Sequence, residues 1–179
     1  PIPVGHPLQA RYPHRYGEQV LPEAAVPGIT DVLMRFHDGV FELQRRFLRI
    51  IAVGLGASED FFERLLRHGP TLTRAIHYPP MALAPGAQHE WAAAHGDINL
   101  ITALPRATAP GLQVLTESGW IDAVAPEERV IINTGMMLEQ LTNARIPTGI
   151  HRVVAGADQP GDRYSVVQFC HPTPWTILT

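Results

Sequence analysis

His95-Gly96-Asp97, answered 54 residues after the aspartate by His151, is the set of residues in this chain best suited to metal chemistry. Two imidazoles and one carboxylate can occupy one face of an Fe(II) ion and leave positions open for other ligands. Residues two apart on a strand share a face, so His95 and Asp97 can reach one ion from a strand end or the loop beyond it. Gly96 carries no side chain to obstruct that ion. His151 lies in a separate apolar run, Ile150-His151-Arg152-Val153-Val154, and Arg163-Tyr164-Ser165 follows 12 residues later. An arginine there can grip the carboxylate of an acidic co-substrate. H-x-D alone occurs by chance in many proteins; its weight comes from the downstream histidine and the Arg-x-Ser. A zinc hydrolase is disfavoured, since neither H-E-x-x-H nor a cysteine ligand pair is present.

The composition supports an arginine-based anion site. All 14 cations of the 179 residues are arginine, which removes lysine Schiff-base chemistry and a P-loop lysine from consideration. The formal net charge of -3, with no basic block, argues against a nucleic-acid or membrane-surface partner. At 45 % apolar and 17 % charged, the chain reads as one globular domain with a real core. Cys170 is the only cysteine, so no intrachain disulfide or thiolate cluster can form, and its setting, Val166-Val167-Gln168-Phe169-Cys170, reads as a buried strand. With no signal peptide and no uncharged run of membrane-spanning length, a cytoplasmic location is expected.

The elements that must position these residues divide the chain into a helical and a β part. Residues 1–29 are rich in proline and glycine and read as an extended lead-in. From Thr30, a plausible N-cap, apolar residues recur at three- and four-residue steps (Leu33, Phe36, Val40, Phe47, Ile51), with Asp38, Glu42, Arg45, Arg46 and Arg49 on the other side. This predicts an amphipathic helix stopping near Gly54 or Gly56 and packing on a core. Ser58 reads as the N-cap of a second helix, with Gly69 just past its end, so 30–70 forms a helical segment. From residue 71 to 179 short apolar runs alternate with Gly, Pro and polar turns. They predict strands near 72–78, 90–95, 98–104, 112–116, 120–124, 129–133, 149–154 and 163–170. The cleanest hairpin runs from Leu112 to Val124 and reverses at Glu117-Ser118-Gly119; Met136 to Leu141 reads as a helical turn. Eight strands at this spacing suggest a mainly β fold, a sandwich or jelly roll with flanking helices.

Of the nine histidines, His6, His14, His37, His68, His77 and His171 read as ordinary surface or core residues. His89, six residues before His95, is the most tempting wrong ligand; it follows a Gly/Ala/Pro loop and is expected to be exposed.

Several stretches together resemble the isopenicillin N synthase-like branch of the Fe(II)/2-oxoglutarate-dependent oxygenases. They are Arg74-Ala-Ile-His-Tyr-Pro-Pro80, His95 to Leu104, Gly111-Leu-Gln-Val-Leu115, Gly119-Trp-Ile-Asp122, Asn133-Thr-Gly135, Met137 to Asn143, His151-Arg-Val-Val154 and Arg163-Tyr-Ser165. They come in that family's order and spacing, and the helical part adds a Leu-Gly-x-Ser-Glu-Asp-Phe-Phe phrase ending at Phe62. The resemblance implies a double-stranded β-helix, Fe(II) held by the catalytic residues His95, Asp97 and His151, and 2-oxoglutarate and O₂ as co-substrates. Arg163 and Ser165 would hold the far carboxylate of 2-oxoglutarate, with Tyr78 beside it. The expected reaction is oxidation of a small organic molecule, hydroxylation by default, giving succinate and CO₂. An oxidase of the same fold that uses no 2-oxoglutarate fits the same residues, because one arginine fork serves either anion. A non-catalytic jelly-roll binding module predicts a missing ligand, and none is missing. The family also has an N-terminal segment that has no counterpart here, so the sequence is expected to be part of a longer chain. Three positions depart from the family's habit: Met136 where an acid is usual, Thr148-Gly149 in place of Ser-Thr, and Ile76 where plant members carry Asn.

Overall fold

The computed structural model describes residues 2–81, 88–156 and 161–178. The loop read before His89, at 82–87, lies outside them, as do Pro1 and Thr179. The chain forms two compact units, one of Pro1–Leu72 with Cys170–Ile177, the other of Thr73–Phe169 with the last two residues.

In the first unit the expected extended lead-in holds a short helix, α1 (Pro7–Arg11), with Pro7 at its first turn and His6 accepting from the Leu8 N–H. The long helix α2 (Ile29–Gly54) starts one residue before the expected Thr30 cap, and its N-cap is Gly28 at φ 84°. Capping comes from further back in the chain. Glu23 accepts from the N–H groups of Gly28 and Thr30 at 2.5 and 3.0 Å, placing a carboxylate on the helix's positive end. A hydrogen bond from the Thr30 side chain, with those two backbone bonds, holds the Glu23 carboxyl below its usual pKa. The next helix, α3 (Phe61–Leu66), begins after Asp60, not Ser58, whose hydroxyl instead bonds the Asp60 carboxylate. His68, at φ 70°, takes the left-handed position expected of Gly69. Gly69 serves close approach instead, since a Cβ there would lie 2.3 Å from the His171 carbonyl oxygen. Arg45 reaches both Glu63 oxygens at 2.8 to 3.0 Å and so ties α2 to α3. Leu48, Ala52, Phe62 and Leu66 are buried beside them. No helix among the described residues is long and apolar enough to cross a membrane.

Cys170 is fully buried, and desolvation pushes its thiol up to about 12. The thiolate is the reactive form, so the native chain should not react with a thiol reagent at pH 8. One equivalent should react on unfolding; rapid labelling of the folded chain would contradict this burial.

The β part is a double-stranded β-helix. Its strands are β1 (Leu72–Tyr78), β2 (Gln88–His95), β3 (Ile101–Pro105), β4 (Leu112–Thr116), β5 (Gly119–Asp122), β6 (Val130–Thr134), β7 (His151–Gly156) and β8 (Arg163–Cys170). They form two four-stranded sheets, ordered β1-β8-β3-β6 and β2-β7-β4-β5. A short helix, α4 (Met136–Leu141), follows β6. The hairpin β4–β5 reverses at Glu117-Ser118, with Thr116 opposite Gly119 and Gly119 at φ 103°. The largest shift of a strand start is in the expected 98–104 strand, which begins at Ile101. The carbonyls of Asp97, Ile98 and Asn99 accept from the N–H groups of Met136 and Met137 at the start of α4, so they are committed to a turn instead of a ladder.

Candidate functional site

Strand pairing brings the two candidate histidines together. β2 runs antiparallel to β7 with His95 directly opposite His151. From Glu90 to His95 is five residues, whereas the partner interval from Val154 to His151 is three. β2 therefore carries two extra residues, in two register shifts. Bulges of this kind re-aim side chains and often flank functional sites. Here Trp91 and Ala92, neighbours in sequence, both line the same cavity.

Asp97 follows the end of β2 and is 7 % exposed. Its Oδ1 lies 3.9 Å from Nε2 of His95 and 3.9 Å from Nε2 of His151. One ligand atom from each of the three residues falls within 4.8 Å of the others, close enough to share one ion. Hydrogen bonds fix which atoms face that point. His95 Nδ1 lies 2.7 Å from the Ala93 carbonyl and His151 Nδ1 lies 3.2 Å from the Gly149 carbonyl. A carbonyl can only accept, so in these two contacts Nδ1 is the donor, which leaves the Nε2 lone pairs for a shared ion; the Asn133 amide nitrogen also lies 3.3 Å from His151 Nδ1. The other Asp97 oxygen accepts from the Thr102 hydroxyl at 2.6 Å, leaving Oδ1 free. Thr102 in turn accepts from the Asn99 amide at 3.0 Å. Two imidazole nitrogens, one carboxylate oxygen and no thiolate form a donor set that fits Fe(II).

Packing gives Gly96 a reason of its own to be glycine. A Cβ there would lie 2.6 Å from Thr148 Cγ2 and 3.3 Å from both Ile150 and Met136 side chains. Thr148 is itself held by Glu139, through its backbone N–H and its hydroxyl. Packing against Thr148 by itself demands a residue without a Cβ here.

Arg163, Ser165 and Tyr78 line the same cavity of about 460 Å³ as His95, Asp97 and His151. Arg163 is 4 % exposed, and its Nε donates to the carbonyls of Ala109 and Pro110 at 3.1 and 3.0 Å. Its guanidinium carbon sits 4.9 Å from the centre of the Tyr78 ring, which tilts against Trp91. Burial lowers the Arg163 pKa from its usual value. One terminal nitrogen, Nη1, is buried with no hydrogen-bond partner among the described residues. A buried guanidinium left short of an acceptor is costly unless an anion completes it. The alternation of β8 delivers these groups, because Arg163, Ser165, Val167 and Phe169 line the cavity while Tyr164 is half exposed.

Other histidines stay out of the ligand group. His89 is exposed on β2, opposite Ala155. The His77 ring pairs with Asp162 at 2.5 Å and stacks on Tyr164. Thr102 and Asn133 fall within the stretches that carry the resemblance, but the sequence assigned neither of them a supporting role. Asn133 donates to the Gly149 carbonyl at 3.1 Å, the same oxygen that orients His151. Thr102→Val should keep the shape and lose the hydroxyl that holds Asp97. Metal affinity in an anaerobic Fe(II) or Co(II) titration should fall by about 10- to 100-fold, and Thr102→Ser should restore most of it. Equal affinity in the valine variant would show that Asp97 needs no such support.

The profile of the 2OG-Fe(II) oxygenase superfamily matches residues 70–172. Isopenicillin N synthase of Flavobacterium sp. (strain SC 12,154) is 32% identical over 139 residues, covering 73% of this chain and 43% of that protein. A solved structure from Caulobacter crescentus, assigned to the 2OG-Fe(II) oxygenase family, superposes with TM-score 0.83 and 34% identity, covering 96% of this chain and 54% of its own. A full-length Neurospora crassa protein solved in complex with alpha-KG superposes with TM-score 0.75 and 31% identity, covering 84% and 49%. The chain thus spans about half the length of the relatives it matches. With a matching profile over more than half its residues and the fold to go with it, this chain belongs to the 2OG-Fe(II) oxygenase superfamily.

Proposed function

We propose that this chain carries the catalytic core of a non-haem Fe(II)- and 2-oxoglutarate-dependent dioxygenase that oxidises a small organic molecule. His95, Asp97 and His151 hold the ion on one face through Nε2, Oδ1 and Nε2. Arg163 and Ser165 hold the far carboxylate of 2-oxoglutarate, with the Tyr78 ring alongside. Fe(II) and 2-oxoglutarate together supply O₂ activation coupled to oxidative decarboxylation, with succinate and CO₂ as products and hydroxylation as the default outcome. The residues of the chain supply position and dryness. Thr102 and the Gly149 carbonyl help fix the ligand orientations, while Leu104, Ile131, Val153 and Val167 give the cavity apolar walls.

The observation that carries this reading is the buried Arg163 nitrogen with no acceptor, in the same cavity as an N, N, O donor set. A neighbour solved with alpha-KG supports it. A second reading is an Fe(II) oxidase that takes no 2-oxoglutarate, favoured by the isopenicillin N synthases among the relatives. In that case Arg163 would grip the substrate's own carboxylate. Oxygen uptake by the Fe(II)-loaded protein separates the two. Uptake that rises with 2-oxoglutarate and yields succinate supports the first; uptake with a metabolite extract that is indifferent to 2-oxoglutarate supports the second.

A further inference from the structure

Four charged side chains among the described residues line the cavity: Asp97, Arg74, Arg106 and Arg163. Three of them have an evident counter-charge or task. Asp97 faces the metal position, Arg163 is the buried anion anchor, and Arg106 lies 3.7 Å from Glu127. Arg74 is left over. It is exposed and has no ion pair or hydrogen bond among the described residues.

Its place on β1 sets what it can serve. Arg74, Ile76 and Tyr78 share one face of the strand by alternation and line the cavity, which His77 also borders. Tyr78 lies against Arg163 at the start of β8, while Thr73 accepts a hydrogen bond from Gln168 near the end of β8. β1 and β8 therefore run in opposite directions, and Arg74 sits four residues up the strand from the Arg163 end. Four strand residues span roughly 13 Å. β3 orients the metal in the same frame. Thr108, beyond its end, donates its N–H to the Tyr164 carbonyl at the Arg163 end, while Thr102, at its start, holds Asp97. The metal ligands thus lie toward the end of the cavity where Arg74 stands. A co-substrate stretched from the metal to Arg163 points away from Arg74.

We propose that Arg74 is the recognition residue for the prime substrate, and that this substrate is a small organic acid whose carboxylate meets Arg74 at the metal end of the cavity. The inference rests on the reading in which Arg163 takes 2-oxoglutarate. Around a divalent ion, Asp97 contributes -1, Arg163 +1 and a bound 2-oxoglutarate -2, so ion and groups balance without Arg74. Its charge is then available to a further anion. A guanidinium fork suits a carboxylate, and a charge-assisted pair at a half-enclosed rim discriminates an acid from its neutral amide.

The test uses the whole chain loaded with Mn(II) and 2-oxoglutarate without O₂, and a set of small aryl and alkyl carboxylic acids, each paired with its primary amide. Ligand-observed NMR ranks their binding to the wild type and to Arg74→Gln. Circular dichroism checks folding, which this exposed substitution should not disturb. Acids should be retained over their amides by about tenfold in the wild type, and Arg74→Gln should erase that preference while the 2-oxoglutarate affinity stays unchanged. Wild-type protein that binds amides as well as acids, or neither, overturns the proposal, as does an acid preference that survives in Arg74→Gln. Failure of the wild type to bind 2-oxoglutarate in the loading step is a separate result; it removes the parent reading and this inference with it.

Discussion

Replacing Asp97 by alanine is expected to abolish metal-dependent turnover and leave the fold standing. Asp97 is the only anionic donor of the three, and the only acid lining the cavity among the described residues. Two neutral imidazoles hold a divalent ion far less tightly than two imidazoles and a carboxylate. The loss of affinity should exceed the roughly 10- to 100-fold that follows removal of an outer hydrogen-bond partner. The metal-free fold has little reason to suffer, since the substitution removes a buried carboxylate that is costly to desolvate. Thr102 loses its acceptor but has the Asn99 side-chain oxygen at 3.3 Å to turn to. Anaerobic Fe(II) or Co(II) titration, succinate formation and circular dichroism read the three parts of the expectation. Succinate formed at the wild-type rate by the variant would sink the proposed ligand set.

Arg163→Met is expected to cost 2-oxoglutarate binding heavily and stability hardly at all. Removing one partner of a buried charge pair costs about 2–5 kcal/mol, so the 2-oxoglutarate requirement should rise roughly thirtyfold or more. Stability moves by opposing terms. The free chain carries a guanidinium that is 4 % exposed, with Nη1 lacking an acceptor, and methionine relieves that desolvation. Against this, the carbonyls of Ala109 and Pro110 lose their donor, and the Tyr78 ring loses its cation. A buried charge without its partner is often replaced at no loss by an apolar side chain of similar volume. The thermal midpoint without ligand should therefore stay level or rise. Calorimetric titration and thermal melts of the same preparation check both halves. An unchanged 2-oxoglutarate requirement would mean that another group anchors the anion.

The β part was legible because its signal is local. β1, β4 and β8 coincide with the runs read from alternation and turn residues, and the β4–β5 hairpin reverses where Glu117-Ser118 directs it. The ends of elements were less legible where the deciding partner is distant. The expected strand from 98 loses three residues because its carbonyls serve the start of α4, some forty residues ahead. The start of α2 is capped by Glu23, outside the window in which a cap is normally sought. Glycines likewise depend on distant contacts. Gly96 and Gly69 are explained by Thr148 and by the His171 carbonyl, neither of which is near in sequence.

For the candidate site, the sequence by itself determined the donors: residue types, the two-residue spacing of His95 and Asp97, the lysine-free set of cations and the order of motifs. These follow from side-chain chemistry and strand periodicity, which need no partner. Only the tertiary structure decided how the donors are presented. Pairing across β2 and β7, with two extra residues in β2, sets His95 against His151. The carbonyls of Ala93 and Gly149 meet the two Nδ1 atoms, and Thr102 binds one Asp97 oxygen and leaves the other open. A buried Nη1 without an acceptor among the described residues distinguishes Arg163 from thirteen other arginines, and cavity placement without a counter-charge distinguishes Arg74. Each of these depends on what stands opposite a residue in space, and long-range pairing carries that information, not the residue itself.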